Sequence, residues 1–71
     1  SVTLTNNLNH LRLDGLKPGS NVTLTSSTGA TLYTGTASGT SLTIPTSRMN
    51  GVAIVSVASE NGTFRTKTII R

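Results

Sequence analysis

Apolar and polar residues alternate with a period of two along most of this chain, in short runs separated by glycine, asparagine and proline. Residues 21–26 are the clearest run, in which two apolar residues alternate with two threonines (Val22, Thr23, Leu24, Thr25). Successive side chains of a β-strand point to opposite faces, so this period predicts strands with one buried face. No stretch has the 3.6-residue period of an amphipathic helix. The sequence therefore predicts an all-β fold.

About seven segments follow this rule at roughly ten-residue spacing. They are residues 2–5, which is marginal, 10–13, 21–26, 31–35, 41–44, 51–58 and 64–70. Pro45 ends the fifth segment because it has no N–H to donate to a sheet. We expect a small immunoglobulin-like antiparallel β-sandwich that occupies residues 1–71 as one domain. With no cysteine in the chain, packing or a partner must stabilise it without disulfides.

The last third of the chain predicts a hairpin. Residues 51–58 form a nearly continuous apolar run, typical of a central strand that is covered on both faces. Asn61 and Gly62 are expected to supply the two positive-φ positions of a tight turn, after which residues 64–70 return antiparallel.

A sandwich this small covers each sheet on one side only, so one face of residues 51–58 should be exposed. Two alternatives follow for this strand: either Val52 and Ile54 pack inward, or the set Ala53, Val55 and Val57 does. An exposed apolar strand usually marks a contact with another domain or chain. Coverage by loops or by the first strand is the other interpretation.

The terminal strand has two chemically different faces. One carries Phe64, Thr66, Thr68 and Ile70, and the other carries Arg65, Lys67, Ile69 and Arg71. Three of the six cationic residues therefore line one face of this strand. Lys and Arg on an edge strand discourage edge-to-edge aggregation, which is one interpretation of these charges. A binding stripe is the other.

Several function classes are disfavoured by what the sequence lacks. The chain has a net charge of +4, but its only aromatic residues are Tyr33 and Phe64, too few for the stacking platforms of a nucleic-acid binder. No apolar run approaches the ~18 residues of a membrane span. His10 and Asp14 flank one short strand without a nucleophile elbow, an oxyanion loop or a metal-ligand spacing, and no phosphate-binding loop is present. We expect a non-catalytic domain without metal or cofactor.

Three parts of the chain, taken in order from about Leu11, resemble the C-terminal sorting domain of the type IX secretion system of Bacteroidetes. The first is Val22-Thr23-Leu24 followed by the turn glycine Gly29, the second is residues 50–57, which read Asn-Gly-Val-Ala-Ile-Val-Ser-Val, and the third is residues 67–71, which read Lys-Thr-Ile-Ile-Arg. Thr25 and Ala53 depart from the family pattern, which usually has an acidic and an aromatic residue there.

The resemblance implies a secretion signal that directs an upstream passenger through the periplasm and across the outer membrane, to the cell surface or the medium. Its partners would be the outer-membrane translocon and a sortase, with a strand-exchanged homodimer as a further association. In most such proteins the sortase removes the domain and in some the domain is retained, so both fates stay open here. The implied recognition residues are Gly51, Val52, Ile54, Val55, Val57, Lys67, Ile69, Ile70 and Arg71, supported by turn residues Gly29, Asn61 and Gly62. Because the chain opens on Ser-Val-Thr, we expect a piece of a longer exported protein.

Two alternatives remain open. The first is a fibronectin-like cell-surface adhesion or carbohydrate-binding module, which would use loops such as residues 6–9 or 36–40 and would be indifferent to the last three residues. The second is a structural spacer in a multidomain protein.

Overall fold

A computed structural model describes residues 2–60 and 62–70. Seven strands follow one another along this part of the chain: β1 (Thr3–Asn6), β2 (His10–Asp14), β3 (Asn21–Ser26), β4 (Thr31–Thr36), β5 (Ser41–Pro45), β6 (Gly51–Ser59) and β7 (Gly62–Ile70). They form a three-stranded sheet of order β1-β2-β5 and a four-stranded sheet of order β4-β3-β6-β7, with every pair antiparallel. The predicted seven-stranded immunoglobulin-like sandwich is confirmed. Its fourth strand pairs with the third, whereas the fourth strand of constant-type domains belongs to the sheet that contains the first strand.

The strand bounds agree closely with the alternation of the sequence. β3 has the predicted bounds, and most of the other strands differ from prediction by one residue at an end. Pro45 is the last residue of β5, which is an edge strand, so the sheet loses no hydrogen bond because proline lacks an N–H.

The predicted turn of the last hairpin is wrong about Gly62. Gly62 pairs with Ser59 and is already the first residue of β7, so it lies in the strand and not in the turn. Gly62 does have a positive φ, of 131°. The matching expectation for Asn61 lies outside the described residues.

The core lies between the inner faces of the two sheets. Its largest side chains are aliphatic and at most 2% exposed: Leu11, Leu13, Val22, Leu24, Ile44, Val55 and Ile70. Removing one such side chain from water stabilises the fold by about 1.5–3 kcal/mol, and both sheets contribute to the same cluster. With no disulfide among the described residues, this apolar layer holds the sheets together.

The alternative left open for β6 is decided by this core. Ala53, Val55 and Val57 point inward and are buried, whereas Val52 is 40% exposed on the other face. The expectation that this strand is covered on both faces is therefore wrong, because the three-stranded sheet covers the inner side alone. We call the opposite side of the four-stranded sheet the outer face.

Strand register defines the two ends of the sandwich. At the carboxyl end, Gly51 pairs with Ile70, and the side-chain amide of Asn6 donates a hydrogen bond to the carbonyl of Ile69. At the turn end, Ser59 pairs with Gly62. Backbone hydrogen bonds between loops tie the turn end together, including Gly19 N to Ala37 O at 2.8 Å, Ala37 N to Ser20 O at 2.8 Å and Leu16 N to Thr40 O at 2.9 Å.

Candidate recognition hairpin

The two most distinctive sequence motifs meet in one structural unit. We call β6, β7 and the turn between them the terminal hairpin; its strands pair over nine residues each, from Ser59↔Gly62 to Gly51↔Ile70. Within it, Val52 lies opposite Ile69 and Ile54 lies opposite Lys67. The motif that opens β6 and the motif that ends β7 are thus cross-strand neighbours at the carboxyl end.

The residues singled out in the terminal hairpin divide into two groups by burial. Val55, Val57 and Ile70 are 0%, 4% and 2% exposed, so they hold the hairpin on the core and are not available to a partner. Val52, Ile54, Lys67 and Ile69 instead belong to the outer face, where Val52 and Ile69 form an exposed aliphatic pair. Arg71 lies outside the described residues.

Gly51 begins β6 in a conformation that favours glycine. Its φ is +100°, whereas a β-carbon built at this position meets no atom within 4 Å. The requirement for glycine is therefore conformational and not steric. Other residue types do not readily adopt the backbone of this position. Gly29 likewise has a positive φ, of 94°, in the β3–β4 turn, where its N–H donates to Ser26 O at 3.0 Å.

Exposed aliphatic side chains concentrate at the carboxyl end. Leu8 in the β1–β2 loop is 74% exposed and Ile69 is 55% exposed, and together with Asn6 and Asn7 they line a shallow groove. The sequence analysis considered this loop only for the adhesion alternative and did not predict that Leu8 would lie beside Ile69. The available signal was Leu8 itself, an apolar residue among three asparagines. The carboxyl end therefore presents an apolar surface that includes the Val52–Ile69 pair.

Arg65 and Lys67 give the outer face of β7 its charge. Both side chains are exposed. The chain has only two acidic residues, and each is near another cation: Asp14 lies 3.0 Å from Arg12 and Glu60 lies 3.8 Å from Lys17. Within residues 2–60 and 62–70, no carboxylate forms an ion pair with Arg65 or Lys67.

β7 is an edge strand, so half of its backbone groups point away from β6. In a two-residue hairpin the closing pair, here Ser59 and Gly62, exchanges hydrogen bonds, and bonded pairs then alternate along the ladder. The N–H and C=O groups of Thr63, Arg65, Lys67 and Ile69 consequently face the open edge. The hydrogen bond from Asn6 to the carbonyl of Ile69 agrees with this assignment.

The residues considered for catalysis or metal binding do not converge. His10 and Asp14 stand at opposite ends of β2, four residues and about 13 Å apart at the usual rise per residue. Asp14 is engaged with Arg12. Among the described residues, no three His, Cys, Asp or Glu side chains form a group able to hold a metal ion. Nor does that part of the chain contain a helix long and apolar enough to cross a membrane.

Comparisons with known proteins add no relative: no protein-family model, curated protein or solved structure matches this chain. The fold and the terminal hairpin thus define the class, a small antiparallel sandwich with an exposed terminal strand.

Proposed function

We propose that this chain is a non-catalytic secretion-signal domain of the type IX kind, and that the terminal hairpin is the part that is recognised. The observation that carries the proposal is the pairing of the two resembling motifs, in which Val52 lies opposite Ile69 and Ile54 lies opposite Lys67. A signal read as a folded surface needs its recognition residues side by side, and this pairing places exposed residues of both motifs on one face of the sheet. The partners are then an outer-membrane translocon, a sortase and an upstream passenger carried to the cell surface or the medium.

The recognition surface in this proposal is the exposed part of the hairpin. Val52, Ile54 and Ile69 supply apolar area at the carboxyl end, and Lys67 supplies charge beside it. Desolvation of the aliphatic pair provides binding energy, whereas the charge orients the partner. The buried residues Val55 and Ile70 act indirectly, because they keep the two strands in register.

The test fuses the domain behind a periplasm-directed fluorescent reporter in a type IX-competent host and follows the reporter to the cell surface or medium. Deletion of residues 69–71 alone does not separate recognition from folding, since it removes the buried Ile70. The decisive variant is therefore the double substitution Val52→Thr and Ile69→Thr, which changes exposed side chains and keeps β-branching. Leu32→Thr, at a residue that is 38% exposed on β4, is the matched control.

We expect export of the intact fusion and of the Leu32→Thr fusion, and periplasmic retention of the double variant in folded form. Gly51→Val is expected to abolish export as well, because valine does not readily adopt a φ of +100°. Export of the double variant at the intact level would contradict the proposal, as would retention of the intact fusion.

One observation favours the adhesion or carbohydrate-binding alternative. The loop of residues 6–9 presents two asparagine side chains and the exposed Leu8 along the groove beside Ile69. The other loop considered, residues 36–40, is at the turn end, so the two loops cannot form one site. A glycan array probed with the intact domain and with Asn7→Ala distinguishes this function: it predicts a glycan signal that the substitution removes.

A further inference from the structure

The four edge strands of the sandwich are not equally protected. β1 has four residues, β5 has five and ends in Pro45, and the pairing of β4 with β3 is interrupted by a register shift at Leu24 and Thr25. Short length, proline, bulges and charged side chains are the usual devices that keep an edge from accepting another strand. β7 lacks the first three, since it runs for nine residues in uninterrupted register, and has only the charges of Arg65 and Lys67.

The usable part of the β7 edge is bounded. Thr63, Arg65 and Lys67 direct both their N–H and C=O groups outward, as the alternation of the ladder requires. Further along, Asn6 occupies the carbonyl of Ile69. An added strand therefore has room for about six residues opposite residues 63–68, and a five-residue strand opposite residues 64–68 places its second and fourth side chains against Lys67 and Arg65.

The charges beside this edge select the partner. A residue directly opposite another on a neighbouring strand has its side chain on the same face, about 4.5–5.5 Å away between β-carbons. Side chains opposite Arg65 and Lys67 would thus lie against two exposed cations without ion-pair partners in the described part of the chain. A second copy paired through β7 in the antiparallel sense centred on these residues would place like charges opposite one another, which is destabilising.

We propose that the open edge of β7 binds an extended acidic peptide segment by strand addition, with carboxylates at two alternate positions that face Arg65 and Lys67. As a description of what the translocon presents to the hairpin, this inference rests on the proposed function. Peptide binding is measured without a secretion system, so the proposed function and this inference can fail separately.

The probes are two synthetic peptides of equal composition. In acetyl-Thr-Glu-Val-Glu-Thr-amide the two glutamates share one face of a strand, whereas in acetyl-Thr-Glu-Glu-Val-Thr-amide one glutamate must point to the opposite face in any register. Hydrogen exchange of the backbone amides is followed by NMR on the full chain with each peptide at saturating concentration. This readout separates strand addition from mere charge attraction.

We expect the alternating peptide to slow exchange of the Arg65 and Lys67 amides by at least about tenfold, since they gain hydrogen bonds that open only with the complex. The Phe64 and Thr66 amides, already bonded to β6, should change little. The peptide with adjacent glutamates should have little effect. Arg65→Thr with Lys67→Thr should abolish the protection, and Arg48→Thr, which removes an exposed cation outside the hairpin, should leave it intact.

Equal protection by both peptides, or by neither, overturns the inference. Protection that grows with protein concentration in the absence of peptide also overturns it, since a second copy would then occupy the edge. If the variant with Arg65→Thr and Lys67→Thr loses peptide binding while its reporter fusion is still exported, the edge binds acidic strands but the translocon does not recognise it. If export depends on Val52 and Ile69 while no peptide binds, the proposed function stands and this inference fails.

Discussion

At the scale of single residues, Gly51 connects local conformation to the proposed signal. Its φ of +100° lies in the left-handed half of conformational space, where a β-carbon is strained even though space is available around it. The residue directly precedes the exposed Val52 and pairs with the buried Ile70. We therefore expect the strain of any side chain introduced here to disturb the pairing of both strands at the carboxyl end.

Gly51→Ala should lower the free energy of unfolding by about 1–3 kcal/mol, the usual strain of a residue held in a sparsely populated backbone region. Gly39→Ala is the matched control, because Gly39 has no positive φ and a β-carbon there also meets no atom within 4 Å. Chemical denaturation of both variants measures the difference. Equal stability of the two would show that the backbone at residue 51 relaxes without cost.

At the scale of elements, adjacent residues of the terminal hairpin lie in opposite environments, one exposed to solvent and the next buried in the core. Ile69 is 55% exposed and Ile70 is 2% exposed, because successive side chains of β7 point to opposite sides of the sheet. One strand thus presents a surface on its outer face and packs the core with its inner face. Recognition and stability are separable by choosing the face.

Ile70→Ala should lower the free energy of unfolding by about 2–5 kcal/mol through lost burial and the cavity that remains. Ile69→Ala should change it by no more than about 0.5 kcal/mol, as is usual for surface positions. Urea denaturation measures the free energy of unfolding of both variants. They carry the same substitution at neighbouring residues, so each is the control for the other. A loss at Ile69 as large as that at Ile70 would mean that the outer face is packed against something within the domain.

At the scale of the whole molecule, the topology joins strands that are distant in sequence. β2 pairs with β5 and β3 pairs with β6, each across about 30 residues or more. Loop-closure entropy must be overcome before such pairs contribute stability, so sandwiches fold slowly for their size. A domain of 71 residues has in total only about 4–10 kcal/mol of stability to draw on.

We expect this domain to refold on a timescale of about milliseconds to seconds, as other proteins dominated by non-local pairing do. Tyr33 is the chain's only tyrosine and there is no tryptophan, so stopped-flow fluorescence reports on one position that packs against the core. Refolding within microseconds would contradict the expectation and would indicate that local hairpins dominate the folding barrier.

Most of the fold could be predicted from the sequence, and the exceptions have physical causes. Alternation predicted β3 to the residue, because Val22 and Leu24 are apolar and their neighbours are not. On β6 both faces are apolar, so the sequence could not decide which packs inward. Pairing with β3 decides it: Val55 lies opposite Leu24 and Val57 opposite Val22, and opposite residues share a face.

The carboxyl-end surface was only partly predictable. The motifs of β6 and β7 were visible in the sequence, but the approach of Leu8 to Ile69 depends on how one sheet lies over the other. No local pattern encodes that placement, since the two residues are 61 positions apart in the chain. Long-range packing of a loop is set by the whole core.

The opposite placement of the first and last strands has a mechanical consequence. β1 begins at the turn end and β7 finishes at the carboxyl end, and both are edge strands. Tension applied between Val2 and Ile70 would therefore act along the strands. It would load the hydrogen bonds between β6 and β7 together in shear, without opening them one at a time from an end. Since forced unfolding is governed by the unfolding rate, we expect this geometry to resist a pull better than one in which the strands separate pair by pair.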